Sequence, residues 1–245
     1  RLAIGERCLG VIARSETLTD DEYEQAMAVA RAHDFHVRTI SYSELAIENY
    51  AENPVNRCYF CKHELYTRMT ELASELGIDT IVEGSNADDV GDWRPGMQAA
   101  AELRVVSPLR EAGLTKQEIR ELARALELPN WDKPSNPCLS SRVAYGQRID
   151  RTKLEQIARG EQFLRSLGLR QVRVRHHGEI ARIEVAPDEM DRLLEPTNRQ
   201  AAAQHLRELG FRYVTVDLLG YRTGSLNEGH VPPLSGRTGA GAGVA

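Results

Sequence analysis

The strongest constraint on this chain is the alternation of short apolar runs with capped amphipathic helices in its first half. The capping box Thr19–Glu22 opens a helix that we expect to reach Asp34, and a second helix from about Tyr59 stops at Gly77. Three apolar runs have the length and composition of buried strands: residues 7–13, 36–41 and 79–83. Strands that alternate with helices predict an α/β domain built on a parallel sheet.

The pattern changes after a long irregular segment, residues 129–147, which follows a helix capped by Thr115. Beyond it we expect a helix capped by Thr152, helical segments over 187–209, and three strands: residues 171–175, 179–185 and 211–217. This order predicts a second, smaller α+β domain. The predicted organisation has three parts: an α/β domain over 1–147, a substrate-binding α+β domain over 148–235, and a flexible Gly/Ala-rich tail over 236–245.

Composition restricts the classes of protein to which the chain can belong. Its 245 residues are 41% hydrophobic and 27% charged, which is ordinary for a globular protein. No apolar run approaches the roughly 20 residues of a spanning helix and no secretory signal is present, so we expect a cytoplasmic protein with no membrane partner. The net charge of −5 argues against a nucleic-acid partner, although a local basic cluster could hold a phosphate: Arg170, Arg173, Arg175, His176 and His177.

Four cysteines are too few for a disulfide scaffold, and three of them are placed for metal or redox chemistry. Cys58 and Cys61 form a C-x-x-C pair at a helix start, where free N–H groups and the helix dipole favour thiolates. Cys138 adds a third sulfur from a Pro-bracketed loop, and three thiolates suit an iron–sulfur cluster that keeps one iron without a protein ligand. His63 could instead complete a zinc site, and unrelated thiols are the plain alternative. Cys8, in an expected buried strand, has a packing role.

Basic and hydroxyl side chains near these cysteines could bind an anion. Ser141 and Arg142 closely follow Cys138 and could hold a phosphate or carboxylate, or belong to a solvated loop with its own turn hydrogen bonds. Arg173 and Arg175 alternate along an expected strand and therefore share one face. That face is either a bidentate anion site or an exposed basic surface.

Two further charged sets are open to a similar choice. Asp217 and Arg222 lie where the last expected strand gives way to a loop, as site residues or as a surface ion pair. Asp88, Asp89 and Asp92 follow the third expected strand, where open α/β sheets place ligands, and could hold Mg²⁺; a plain acidic turn is the commoner explanation. The sequence has no Walker A motif and no strand-linked G-x-G-x-x-G, so ordinary P-loop or Rossmann binding is unsupported.

Seven motifs resemble those of one known family, and the resemblance covers almost all of residues 5–228. They are Asn56-Arg-Cys-Tyr-Phe-Cys-Lys62, Glu83-Gly-Ser-Asn86, Asp92-Trp-Arg-Pro-Gly96, residues 134–142, Arg173-Val-Arg175, Ala181-Arg-Ile-Glu184 and Gly210-Phe-Arg-Tyr-Val-Thr-Val-Asp217. In combination they resemble the LarE family. Its members are ATP-dependent sacrificial sulfur transferases (sulfur insertases) that make the nickel-pincer nucleotide cofactor of lactate racemase and related enzymes.

This resemblance implies an adenine nucleotide alpha-hydrolase-like domain, also called a PP-loop ATP pyrophosphatase domain, followed by a smaller substrate domain, and assembly into a homo-oligomer. It implies that ATP with Mg²⁺ adenylates a carboxylate of pyridinium-3,5-biscarboxylic acid mononucleotide, and that sulfur then converts it to a thiocarboxylate. Cys138 matches the family cysteine that attacks the adenylate and, in single-cysteine members, gives up its own sulfur. Members with cysteines at the positions of Cys58 and Cys61 resemble [4Fe-4S] enzymes, so we expect that cluster here.

The resemblance also implies a set of binding residues. Those that match family positions for phosphate are Lys62, Arg173, Arg175 and Arg222. Those that match neighbours of the family site are Ser141, Arg142, Glu184 and Asp217.

One departure from the family concerns its ATP loop. The family opens with a strand and a Ser-Gly-Gly-x-Asp-Ser pyrophosphate loop, and that motif does not occur in this sequence. We therefore expect a chain truncated at its amino end, in which the incomplete ATP site would be crippled. The rival interpretations are a tRNA thiolase or another PP-loop ATP pyrophosphatase, and a non-catalytic nucleotide- or metal-binding module; the acidic net charge argues against a tRNA substrate.

Overall fold

The first part of the chain forms a parallel α/β arrangement, seen in a computed structural model that describes residues 4–90, 95–134, 136–222 and 225. Strands β1 (Gly10–Arg14) and β2 (Val37–Ser41) pair in parallel, with Gly10 opposite Val37. Helix α1 (Asp20–Ala32) connects them, and its capping box of Thr19 and Glu22 is formed as predicted. The prediction of an α/β region with a parallel sheet is confirmed.

Helix α2 (Arg57–Leu76) is the longest described element, and it ends at Gly77, whose φ of 66° gives the left-handed cap that glycine favours. The strand expected over 79–83 is wrong in extent, because only Val82 pairs, in one parallel bridge with Val106. Among the described residues, this bridge is not joined to the β1–β2 sheet.

Three shorter helices complete the first part: α3 (Pro95–Glu102), α4 (Pro108–Glu111) and α5 (Lys116–Ala125). Helix α3 packs on α2 around a small core that includes Tyr66 and Ala99. The Thr115 capping box of α5 is formed as predicted. The long segment over 129–147 is irregular as expected, apart from a 3₁₀ turn at Leu139–Arg142.

The second part is a three-stranded sheet covered by helices. Its strands are β3 (Val172–His177), β4 (Ile180–Val185) and β5 (Tyr213–Val216); β3 and β4 are antiparallel, and β4 and β5 are parallel. Its helices are α6 (Arg151–Ser166), α7 (Met190–Leu194) and α8 (Pro196–Glu208). The core between sheet and helices contains fully buried Val174, Leu164 and Leu206. This mixture agrees with the predicted α+β pattern.

The predicted cap of α6 is wrong by two residues. Asp150 has extended backbone angles, and its carboxylate accepts from Lys153 N at 2.9 Å. Thr152 is already inside the first turn, so its side chain cannot cap the helix.

A second core cluster crosses the predicted boundary between residues 147 and 148. Tyr50, Leu139 and Val143 from the first side pack with Ile149 and Leu154 from the other. The boundary itself stays a prediction, and this shared core fixes the loop that carries Cys138 against both sides.

Cys8 precedes β1 and is partly buried, so its expected place inside a buried strand is wrong; the ladder starts later, where Gly10 N donates to His36 O at 2.8 Å. Within the described ranges, no helix combines the length and apolarity needed to cross a membrane. Asp92, the predicted domain end at residue 235 and the predicted tail over 236–245 lie outside the described residues.

Candidate functional site

The three predicted cysteines lie close enough to one another for the charge of one to shift the pKa of another. Cys58 is exposed in the first turn of α2, Cys61 lies one turn further on and is partly buried, and Cys138 is exposed just before the 3₁₀ turn. Burial raises the pKa of the Cys61 thiol well above its usual range, and the negative charges of Glu44, Cys138 and Cys58 raise it further. Each of the other two thiols is thus close enough to affect Cys61.

The thiol of Cys138 is also held in its protonated form. Although Cys138 is exposed as a residue, the protein atoms packed around its thiol raise the pKa of that thiol to about 11, against the opposing charges of Arg57 and Arg142. Both Cys61 and Cys138 are therefore thiols at neutral pH, and a nearby cation would be needed to make them thiolates.

A hydrogen-bonded link ties the start of α2 to the loop that follows Cys138. Asn53 is fully buried and donates from Nδ2 to Val143 O at 3.2 Å and to Ala144 O at 2.8 Å. Arg57 donates from Nη1 to Asn53 Oδ1 at 2.5 Å, and its guanidinium lies 5.1 Å from the centre of the Tyr145 ring. Sequence reasoning missed this link, although the Asn53–Pro54 dipeptide signalled a special turn; Asn53 has a φ of 56°.

A buried carboxylate lies behind the thiols. Glu44 accepts from Ser15 Oγ at 3.0 Å, Thr17 Oγ1 at 3.1 Å and the Tyr50 hydroxyl at 2.6 Å. The Tyr50 hydroxyl also lies 2.8 Å from Ser140 Oγ, two residues after Cys138. These hydroxyl groups donate hydrogen bonds to Glu44 but carry no positive charge. The negative charge of Glu44 therefore contributes to the raised pKa values of Cys61 and Cys138.

Arg142 clamps the loop that carries Cys138. It is fully buried and makes a bidentate pair with Glu161, Nε to Oε1 at 2.9 Å and Nη2 to Oε2 at 3.1 Å. It also donates to Cys138 O at 3.0 Å, Asn136 Oδ1 at 2.6 Å and Ser141 Oγ at 3.0 Å. Each of its nitrogens donates within the protein, so the guanidinium positions the loop, and its contact with substrate stays a prediction.

The predicted face of β3 and β4 is a buried network of charges. Arg175 donates to Ser141 O at 2.9 Å and to Glu184 Oε2 at 2.7 Å, and Arg182 donates to Glu184 Oε1 at 3.0 Å. Arg173 and Arg175 are only 2% and 5% exposed, so the alternative of an exposed basic face is wrong. Arg182 was missed by sequence reasoning; its alternation with Glu184 along β4, opposite Arg175, is the signal.

Arg173 is oriented differently from its neighbour. It donates to Val172 O at 2.6 Å, its guanidinium lies 5.1 Å from the centre of the Tyr221 ring, and it lines a cleft beside α6. The contacts of Arg175 are instead with Glu184 and the Cys138 loop. The two arginines therefore have separate surroundings, and their binding of one phosphate stays a prediction.

Asp217 and Arg222 contact each other as predicted. Arg222 Nη1 lies 3.3 Å from Asp217 Oδ1, and Arg182 Nη1 lies 3.8 Å from the second carboxylate oxygen. Burial tends to raise the pKa of Asp217, but hydrogen bonds from Leu219 N and Arg222 outweigh it and lower the pKa. The pair continues the charge network of β4 to the end of β5.

Lys62 lies one residue after Cys61 and faces a second acidic group. Its ammonium is 5.2 Å from the centre of the Tyr66 ring. Burial tends to lower the pKa of Lys62, but Tyr66 and Glu83 outweigh it and raise the pKa, so the side chain stays charged. Gly96 permits the close approach of α3, because a Cβ there would lie 2.9 Å from Lys62 Cγ.

Neither sequence proposal for a single bound metal ion is supported. Asp89 accepts from Asn86 N at 3.0 Å and Asp88 accepts from Lys116 N at 2.8 Å, so both act as turn or helix caps. The His63 ring lies 5.7 Å from the Tyr59 ring. Of the residues that the structure describes, no three histidines, cysteines or carboxylates are grouped so that they could hold one metal ion.

Similarity to known proteins extends over most of the chain. It is 36% identical to pyridinium-3,5-bisthiocarboxylic acid mononucleotide synthase of Lactiplantibacillus plantarum over 221 residues, which cover 89% of this chain and 78% of that protein. It is 42% identical to an uncharacterized protein of Synechocystis sp., with 91% and 84% covered. An uncharacterized protein of Methanocaldococcus jannaschii is 25% identical, with 88% and 81% covered. No model of a protein family matches the chain.

Proposed function

Because this chain belongs to the LarE family, we propose that it is an enzyme that transfers sulfur in the synthesis of pyridinium-3,5-bisthiocarboxylic acid mononucleotide, the precursor of a nickel-pincer cofactor. The likeness to the Lactiplantibacillus plantarum synthase carries the proposal. The substrate is pyridinium-3,5-biscarboxylic acid mononucleotide, and ATP with Mg²⁺ is the activating partner.

The proposed reaction exchanges one oxygen of a carboxylate for sulfur in two displacements. A carboxylate oxygen attacks the α-phosphorus of ATP, and pyrophosphate leaves. A sulfur nucleophile then attacks the activated acyl carbon, and AMP leaves with the original oxygen. The cations proposed to bind the phosphate groups are Lys62, Arg173, Arg175 and Arg222, with Ser141, Arg142, Glu184 and Asp217 beside them.

For the sulfur source we propose a [4Fe-4S] cluster held by Cys58, Cys61 and Cys138. When bound, such a cluster supplies an iron without a protein ligand, where an extra sulfide can be carried. The donor chemistry fits, since all three are free thiols that affect one another's charge. In such a cluster each thiolate binds its own iron, so the three sulfurs need not converge on one ion as a zinc site requires.

In this proposal the surrounding residues position the cysteines and keep the Cys138 thiol in its protonated form until the cluster is loaded. Arg142 and Glu161 fix the backbone on both sides of Cys138, and the Tyr50–Ser140 contact fixes the turn after it. Because the pKa of Cys138 is about 11, loading iron must displace the thiol proton.

Mass spectrometry of product and protein tests the function. The gene's full product, including any sequence encoded ahead of Arg1, is incubated anaerobically with Mg-ATP and the biscarboxylate mononucleotide. We expect a product in which sulfur replaces one oxygen, with AMP and pyrophosphate in equal amounts. Cys138→Ala should still release pyrophosphate on forming the adenylate, but should form no sulfur-containing product and no matching amount of AMP. Cys8→Ser, remote from the site, is the matched control and should retain activity. Absence of any sulfur-containing product would sink the proposal.

Iron and sulfide analysis separates the two sulfur sources. The cluster proposal predicts labile sulfide and iron that are lost together in Cys61→Ser, with the mass of Cys138 unchanged after turnover. Zinc without labile sulfide, or loss of one sulfur from Cys138 per turnover, would contradict the cluster.

We also propose a PP-loop-type nucleotide site at the carboxyl end of β1, in a cytoplasmic homo-oligomer. The loop after Cys138 meets that end, where Leu139 N donates to Thr17 O at 3.1 Å. Four free cysteines suit a reducing compartment. Nucleotide titration and sizing by light scattering of the full gene product check the site and the assembly.

A further inference from the structure

A cleft of about 580 Å³ lies beside the Cys138 loop, within the size range of small-molecule sites. It is bounded by the start of α1, the loop around Asn136, one side of α6 and the residues that lead into β3. Five cationic side chains line it: Lys133, Arg159, Arg165, Arg170 and Arg173.

The acidic side chains of the cleft are on the α1 wall and already have partners. Asp20 accepts from Arg14 at 2.8 Å, Asp21 accepts from a glutamine of α6 at 3.3 Å, and Glu22 closes the capping box of α1. These charges stabilise the positive end of the helix dipole. The lining therefore contains five cations and three carboxylates, although Arg170 also has a partner outside the lining, Asp132 at 3.8 Å.

The wall opposite α1 carries surplus positive charge at a buried place. Arg142 and Arg165 both bind the carboxylate of Glu161, at 2.9 Å and 2.8 Å, and Arg173 lies near the same carboxylate. Burial and the charge of Arg142 lower the pKa of Arg173 to about 10. One buried carboxylate is thus shared by three guanidinium groups, an arrangement that an anion would stabilise.

An unused hydrogen-bond donor lies in the same wall. Gln171 Nε2 is buried and has no hydrogen-bond partner in the described structure, although buried amide groups are normally paired. Arg170 and Gln171 also bracket the entry to β3, so a ligand between them and α6 would face both charge and amide.

We propose that this cleft binds the phosphate group of a small molecule, with the exposed side chains of Lys133, Arg159 and Arg165 at its rim and the buried Arg173 deeper. The choice of ligand rests on the proposed function, which offers two sources of phosphate: the pyrophosphate released when the carboxylate is activated, and the phosphate of the mononucleotide. Asn136 joins the cleft to the reaction site, because it lines the cleft and accepts from Arg142, which grips Cys138 O.

Isothermal titration calorimetry without ATP tests the proposal on the full gene product. The probes are inorganic pyrophosphate and nicotinic acid mononucleotide, and the tighter of the two identifies the source. The double variant Lys133→Gln, Arg159→Gln changes two exposed residues and should fold normally. We expect it to weaken phosphate binding by about tenfold, which corresponds to about 1.4 kcal/mol, because exposed cations each contribute well under the energy of a buried charge pair.

Arg199→Gln on α8 is the matched control, because it removes one exposed cation away from the cleft, and its affinity should change by less than about twofold. Unchanged affinity in the double variant, or no binding of either probe, overturns the cleft assignment. Sulfur transfer measured in parallel separates the two proposals: product without cleft binding removes only the cleft, and cleft binding without product removes only the enzyme assignment.

Discussion

The two sides of the candidate site handle charge in opposite ways. On the sheet side, Arg175 and Arg182 each have an oxygen of Glu184 within 3.0 Å, so cations and carboxylate are paired. On the thiol side, the side-chain donors to Glu44 are hydroxyl groups, and its negative charge helps to raise the pKa values of Cys61 and Cys138. On the sheet side both oxygens of the carboxylate are paired with cations, whereas the thiol side has an excess of potential negative charge.

This difference indicates which kind of ligand each side accommodates. A buried network of paired charges keeps its geometry without a ligand and can present fixed donors to an anionic substrate, such as the unpaired Nε groups of Arg175 and Arg182 in the described structure. A set of thiols beside an unneutralised carboxylate becomes favourable only when positive charge arrives, as iron would bring it. The comparison supports placing the substrate's anionic groups on the sheet side and the cofactor on the thiol side.

The largest effect on stability should come from removing the shared carboxylate of the sheet side. Glu184→Ala leaves Arg175 and Arg182 without their shared buried carboxylate, and we expect the free energy of unfolding to fall by about 3–5 kcal/mol. Urea unfolding followed by circular dichroism measures it. The control is Glu179→Ala, an exposed partner of Arg212 at 3.5 Å, which should change stability by less than about 0.5 kcal/mol. Equal effects of the two variants would show that the ion pairs of Glu184 do not stabilise the sheet side.

The thiol side should show its charge excess in the reactivity of Cys138. Its pKa of about 11, against 9.0 for an ordinary thiol, reduces the thiolate fraction near pH 8 by about a hundredfold. Iodoacetamide labelling of the iron-free protein, mapped by mass spectrometry, should therefore be that much slower than in urea. Because the folded state keeps this proton up to a higher pH than the unfolded state, the free energy of unfolding should fall as the pH rises from about 9 to about 11. Labelling as fast as in urea would contradict the raised pKa.

A smaller effect of pH should come from the core side of β3. His176 is 3% exposed, its Nε2 lies 3.0 Å from Gln156 Oε1, and burial lowers its pKa to about 4. The unfolded state binds this proton first, so stability should be lost as the pH falls from about 6.5 to about 4, by on the order of 1–2 kcal/mol. In His176→Phe that part of the pH dependence should disappear. A wild-type slope retained in the variant would assign it to other groups.

Local signals in the sequence predicted those parts of the fold that depend on neighbouring residues. The capping boxes at Thr19 and Thr115 and the stop at Gly77 form as expected, because each is completed within one helical turn. The predicted cap of α6 was wrong for a local reason as well, because Asp150, two residues before Thr152, caps the helix instead. The third strand failed because a strand needs a pairing partner, and Val82 finds only Val106.

For the candidate site, too, local motifs could be predicted from the sequence and long-range partners could not. Motifs indicated the three cysteines and Arg175, but not the residues that hold them, because Asn53 and Glu161 act across about 90 and 19 positions of sequence. The sequence also carried no signal that Arg142 is buried. Its guanidinium is enclosed by carbonyl and carboxylate oxygens and therefore positions the loop that carries Cys138. Such long-range partners follow from the fold and have no local signal.

The smallest effect on stability should come from Cys58, an exposed member of the thiol side. In the iron-free protein Cys58→Ser replaces an exposed thiol in the first turn of α2, so the free energy of unfolding should change by no more than about 0.5 kcal/mol. After anaerobic reconstitution, however, the variant should hold less iron and labile sulfide than the wild type, because one ligand is missing. Thr70→Ser, on the same helix and remote from the thiols, serves as the control for reconstitution. If Cys58→Ser instead destabilised the iron-free protein by more than about 2 kcal/mol, the thiol side would be a packed structural element like the sheet side, and the contrast between the two sides would fail.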